Sequence, residues 1–142
     1  LNTSGATVTG GISATGDVTA FASDKRLKTD ITPLRNTLDM VKKLNGYTYV
    51  WRDDIHGLTM RGKDIGLIAQ DLEYAGLNEC ITRAPFDDDG GTSKSGEDYK
   101  TIHYNKLHAI WAAVLKEQQQ LLEALTDRIS VLESKCILRT GI

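Results

Sequence analysis

The sequence predicts an α+β protein: a small mixed α/β globular core, one long C-terminal helix after it, and the end of a β-repeat before it. Three observations predict this. Residues 1–22 form a glycine-punctuated stretch without Lys, Arg or Glu. Residues 23–104 alternate between short helical and strand-like patterns. Over residues 105–136, apolar positions recur at steps of four and three. At 142 residues, the chain holds one modest domain with appendages. Because it starts at Leu1, it is expected to be the end of a longer polypeptide.

Within residues 1–22, two hexads align: Gly5-Ala6-Thr7-Val8-Thr9-Gly10 and Gly11-Ile12-Ser13-Ala14-Thr15-Gly16. Asp17-Val18-Thr19-Ala20 begins a possible third. Such short β-forming pieces cannot bury a face alone and need neighbouring copies. A flexible linker has a similar composition. The regular Val8, Ile12 and Val18 favour a repetitive β structure.

The core, residues 23–104, opens with Thr32-Pro33, a helix entry with threonine as N-cap and proline at the first position. Leu34, Leu38, Val41 and Leu44 then form one apolar stripe, ended by Asn45-Gly46. Residues 47–51 (Tyr-Thr-Tyr-Val-Trp) read as a strand. Residues 65–69 read as a buried strand, 70–74 as a short helix stopped at Gly76, and 80–82 as another strand. Residues 85–98 read as a long mobile loop. Its Asp87-Asp88-Asp89-Gly90-Gly91 run lacks the alternating ligands and closing glutamate of a calcium loop.

From Asn105 the pattern is helical to about Cys136, leaving 137–142 as a tail. Leu115, Leu122, Ile129 and Cys136 fall at heptad a, and Trp111, Gln118, Leu125 and Leu132 at d. A 30-residue helix is about 45 Å long, more than this core can cover. Its distal half is therefore expected to pack on copies of itself. Gln118 interrupts the apolar seam at one layer, a device that can fix register or oligomer number.

A net charge of −2 and a pI near 5.9 argue against nucleic acid or an anionic membrane as the main partner. No apolar stretch is long enough to span a bilayer, and the first 21 residues are too polar for a signal peptide. Cys80 and Cys136 lack the spacing of metal ligands and suggest thiols in a reducing compartment. His103 and His108 are five apart, not the i, i+4 of a helical metal pair, and His56 sits in a loop. No metal or other cofactor is expected. Gly62 and Gly66 are not followed by the G-K-[ST] of a phosphate loop. Tyr49, Trp51 and Trp111 read as core and interface anchors, since no basic patch surrounds them.

The candidate chemistry lies in Ser23-Asp24-Lys25-Arg26-Leu27-Lys28, at the seam between the repeat and the core. Serine is a poor nucleophile until a base takes its proton. A lysine serves as that base only where its pKa falls from about 10.4 towards 7–8, which neighbouring cations and desolvation both favour. The bland alternative is Ser23 as a helix cap beside solvated basic residues, and a Ser23–His pair is a second chemical option. Five positions match neither one face of a helix nor one face of a strand. Ser23 and Lys28 therefore meet only if the chain turns across residues 24–27.

Ser23, Asp24, Arg26, Leu27, Lys28 and Ile31 match S-D-x-R-L-K-x-x-I. Tyr49-Val50-Trp51 follows, then Gly66-Leu67-Ile68-Ala69-Gln70-Asp71-Leu72-Glu73, then Tyr104-Asn105-Lys106-Leu107. In this order and spacing, the blocks resemble the C-terminal intramolecular chaperone domain of phage tailspikes, tail fibres and endosialidases, the peptidase S74 family. A similar domain occurs in myelin regulatory factor. The resemblance covers about residues 23 to 135. It implies a homotrimer, with residues 105–136 as a trimeric coiled coil and residues 1–22 as the end of a triple β-helix. It also implies single-turnover self-cleavage by a Ser23–Lys28 dyad. The simplest cut is between Ala22 and Ser23. No cofactor is needed, and the partner is the upstream fibre segment of the same polypeptide. The setting implied is the host cytoplasm during virion assembly, the fibre going on to the virion tail. Related domains carry protrusions toward the fibre, a use for the 85–98 loop. The competing reading is a non-cleaving C-terminal trimerisation foldon in which Ser23 and Lys28 are structural.

Overall fold

In a computed structural model of the chain, the described residues are 13–17 and 22–141. The β-repeat expected over residues 1–22 lies outside them, apart from 13–17 with a bend at 15 and 16 and Ala22 itself. The chain divides into two compact units, Leu1–Pro33 and Leu34–Ile142. In the first, a single 3-10 turn at Lys25–Leu27 is the one regular element among the described residues.

The second unit runs α1 (Thr37–Val41), β1 (Tyr47–Val50), β2 (Lys63–Gly66), α2 (Ala69–Tyr74), β3 (Ile81–Arg83), β4 (Asp88–Asp89), β5 (Thr92–Ser93), β6 (Lys100–Ile102) and α3 (Leu107–Thr140). The strands form three two-stranded antiparallel sheets, β1–β2, β3–β6 and β4–β5. The core is built from Leu72, Ala75, Leu77, Cys80, Leu107, Ile110 and Val114. Leu38, Val41 and Leu44 of the predicted stripe pack against it, whereas Leu34 stays exposed.

Helix α2 ends as the sequence predicts, and the reason is local. Gly76 takes φ +80°, a conformation glycine adopts without a Cβ penalty. Its amide reaches the Glu73 carbonyl at 3.0 Å, and the Leu77 amide reaches that of Leu72 at 2.9 Å. This is a Schellman cap, in which the residue two past the cap and the one three from the helix end meet apolar face to face. Leu72 and Leu77 are both buried in the core. Truncating a fully buried leucine such as Leu72 to alanine costs about 2–5 kcal/mol.

Three expectations are corrected. Helix α1 starts at Thr37, not after Thr32-Pro33. The Thr32 hydroxyl donates to the Asp30 carbonyl, and Asn36 sits in the left-handed region at φ 57°. The first amides of α1 are taken instead by Glu117 of α3, at 3.1 Å from Thr37 N and 3.0 Å from Leu38 N. Second, the buried strand over 65–69 is an exposed one ending at Gly66. With Tyr47 paired to Gly66 and Thr48 to Ile65, Ile65 is 74% exposed, and Ala69 already begins α2. Third, the strand expected at 80–82 is shifted by one residue, because Cys80 closes a 3-10 turn and is buried in the core.

Inside the 85–98 stretch lies the β4–β5 hairpin, organised by one carboxylate. Asp87 is 1% exposed and accepts from Ser93 Oγ at 2.8 Å, Ser95 N at 2.8 Å and Tyr99 N at 2.9 Å. Arg83 of β3 pairs with both Asp88 and Asp98 across its base.

Helix α3 is 34 residues long, about 51 Å, and ends at Gly141 with φ 60°. It runs past Cys136 into the expected tail. Its first turns bury Leu107, Ile110 and Val114. Beyond Val114 the heptad positions Leu115, Leu122, Leu125, Ile129 and Leu132 are 48–65% exposed in the single chain. Among the described residues, no helix is long and apolar enough to cross a membrane.

Candidate active site

The turn across residues 24–27 that the spacing requires is present. Asp24 is extended at φ −67°, ψ 134°, and one side-chain oxygen accepts the Arg26 amide at 2.8 Å. Two backbone bonds close the 3-10 turn, Leu27 N to Asp24 O at 3.1 Å and Lys28 N to Lys25 O at 3.2 Å. The chain then extends again at Lys28, φ −131°. A 3-10 helix repeats every three residues, so one such turn sends residues 23 and 28 back toward each other. Lys28 Nζ lies 2.7 Å from Ser23 Oγ. The Ser23 hydroxyl is thus paired with the lysine of the motif.

Arg26 does not crowd this pair as an isolated cation. Its guanidinium forks onto Asp24, with Nε 3.1 and 3.2 Å from the two oxygens and Nη2 2.7 Å from one. That side-chain contact, then the Arg26 amide, holds the Asp24 carboxyl below its ordinary range. Ser23, Lys28 and Ala22 are all exposed in the single chain. Ala22 immediately precedes Ser23, so its carbonyl is the one attached to the Ser23 nitrogen.

The second unit holds a cleft of about 470 Å³ between β1, the start of α2 and β6. Tyr49, Trp51, Phe86, Tyr99 and Tyr104 line it, with Arg52 and Lys100, and its lining holds no serine, cysteine or histidine among the described residues. Tyr49 and Trp51 meet edge to face at 5.1 Å, in keeping with their reading as packing anchors. Gly66 lies under two of these rings. A Cβ there would stand 3.1 Å from the Tyr49 hydroxyl and 3.2 Å from that of Tyr104. Among the described residues, no cluster of three or more His, Cys, Asp or Glu could hold a metal ion.

Sequence reasoning missed three polar residues. Asp24 was visible, since aspartate is a preferred N-cap. Asp87 was legible only as part of an acidic run. Nothing in the sequence singles out Glu117, because its partners lie 80 and 79 positions away.

No curated protein matches the chain at a significant level. Residues 23–81 match the family model described as chaperone of endosialidase, Peptidase_S74. The match begins at Ser23, runs through the 3-10 turn, α1, β1, β2 and α2, and ends at the first residue of β3. The stretch that starts at the Ser23–Lys28 pair is thus similar to the peptidase S74 family, the chaperone of endosialidase, over residues 23–81.

Proposed function

We propose that the chain is an intramolecular chaperone that gathers three copies of its upstream fibre segment and then severs itself once, beside Ser23. The observation that carries this reading is the 2.7 Å contact of Lys28 Nζ with Ser23 Oγ at the first residue of the family match. Lys28 Nζ serves as the base that takes the Ser23 hydroxyl proton as Oγ attacks the Ala22 carbonyl carbon. The Ala22–Ser23 amide breaks, its nitrogen receives a proton and becomes the new amino terminus, and an ester joins Ala22 to Ser23 Oγ. Water then cleaves the ester, giving the Ala22 carboxylate and restoring the serine hydroxyl. A lysine base works best in a dry site, and the exposed pair in a single chain is consistent with a reaction that waits for assembly.

Assembly is supported by the exposed seam of α3. Leu122, Leu125, Ile129 and Leu132 are each about half exposed in the single chain. A partner count of three rests on the family resemblance. The partner is the same polypeptide throughout, as a homotrimer acting on its own upstream segment. The setting is the host cytoplasm during virion assembly, with the fibre passing to the virion tail.

The test is a time course of freshly assembled protein at several dilutions. A fragment of residues 23–142 should appear with a first-order rate constant that does not change with concentration. Added unrelated peptides should stay intact. A rate that falls in proportion to dilution, or an intact chain at all times, contradicts the reading.

A further inference from the structure

We infer that Asp24 is the positioning residue of the Ser23–Lys28 pair, its carboxylate capping the one turn that carries Lys28 back onto Ser23. The inference rests on the proposed self-cleavage and adds a residue to it. The turn has little else to hold it. It is three residues long, buries no side chain, and is closed by two backbone bonds of 3.1 and 3.2 Å. Isolated turns of this kind are marginal in water because few bonds offset the ordering of several dihedrals. The shortest backbone-directed bond in the segment is the one Asp24 supplies, 2.8 Å to the Arg26 amide.

Arg26 adds a second tie to the same carboxylate. An exposed ion pair by itself contributes little, and Arg26 is 88% exposed. Its fork does something more specific, since it holds the Asp24 oxygens in the position from which one of them caps the turn. The role is therefore divisible. The amide acceptor carries the role and the charge is auxiliary. Asparagine at position 24 retains an acceptor oxygen of the right reach, whereas alanine has none.

The experiment compares Asp24→Ala, Asp24→Asn and Ser23→Ala with the parent, as assembled full-length chains. Asp24→Ala should lower the first-order cleavage constant about fivefold, the usual weight of an N-cap. Asp24→Asn should stay within about twofold of the parent. The melting temperature should be the same in all, because the turn buries nothing. On the same samples, exchange of the Arg26 amide is read by NMR. It should be slowed in the parent and in Asp24→Asn, and lose that protection in Asp24→Ala. Parental cleavage by Asp24→Ala, or Asp24→Asn as slow as Asp24→Ala, overturns the positioning role while leaving an inert Ser23→Ala to uphold the dyad. Equal cutting of Ser23→Ala sinks the self-cleavage reading instead. Equal Arg26 exchange in all three residue-24 forms overturns the inference even in a protein that does not cut.

Discussion

Glu117 of α3 accepts the backbone amide of Thr37 at 3.1 Å and so starts a helix 80 residues upstream of itself. Its other oxygen takes the Leu38 amide at 3.0 Å. These are two of the amides that the first turn of a helix leaves without an internal partner. The Leu38 amide first, and the Thr37 amide next, hold the Glu117 carboxyl below its ordinary value. A depressed carboxylate contributes stability above its unfolded pKa, about 4.3 for glutamate, and loses it as pH falls through the folded value. Glu117→Ala should therefore speed exchange of the Thr37 and Leu38 amides at neutral pH. That difference from the parent should shrink as the pH is lowered below about 4. Unchanged exchange would show that α1 is held by packing alone.

Asp87 makes a parallel prediction for the β4–β5 hairpin. Burial alone would raise its carboxyl, but the Ser95 amide and hydroxyl, the Ser93 hydroxyl and the Tyr99 amide outweigh it and bring it to about 2. The sign is again that of a depressed acid. The hairpin should be at full strength above about pH 4 and should lose this support as pH falls toward 2. Asp87→Asn replaces one acceptor oxygen by an NH₂ donor among groups that already donate. It should loosen the hairpin at neutral pH and abolish the acid transition, read as exchange of the Ser95 and Tyr99 amides. A persisting transition would assign it elsewhere.

The α3 seam predicts the order of assembly. Low-hydrophobicity repeats must be brought together before their packing offsets the entropy of ordering them. A helix that trimerises first raises the local concentration of upstream chains into the millimolar range. Leu122→Asp with Ile129→Asp would place carboxylates at adjacent a layers, costing several kcal/mol per assembled layer. The double variant should sediment as a monomer and cleave poorly, although Ser23 and Lys28 are untouched. A monomer cleaving at the parental rate would show that the pair needs no assembly.

The elements legible in the sequence are those whose cause is local. Gly76 marks the end of α2 because a Schellman cap is made within six residues. The strand expected at 47–51 forms over Tyr47–Val50 from its β-branched and aromatic pattern, and the helix expected from Asn105 forms from Leu107 on its heptad pattern, after a 3-10 turn at Tyr104–Lys106. The errors share a different origin. Thr32-Pro33 satisfies every local rule for a helix start, yet the acceptor that decides the start is Glu117, which a window of neighbouring residues does not contain. The apolar run at 65–69 looks buried, but only pairing with β1 decides that Ile65 faces outward. At the candidate site, the spacing of Ser23 and Lys28 dictated a turn. Whether a turn would form depended on Asp24, whose capping role a motif match does not express.

The most direct measurement is the intact mass of freshly made protein, taken over time for the parent, Ser23→Ala, Lys28→Ala and Lys28→Arg. The parent should convert into two species that together weigh one water more than the chain, residues 1–22 and 23–142 in the simplest cut. Ser23→Ala should remain whole, and Lys28→Ala should remain whole or convert far more slowly. Lys28→Arg should not restore the reaction, because a guanidinium keeps its proton and cannot act as the base. Fragments of the same masses, appearing at the same rate in Ser23→Ala, would contradict a reaction centred on the Ser23–Lys28 contact.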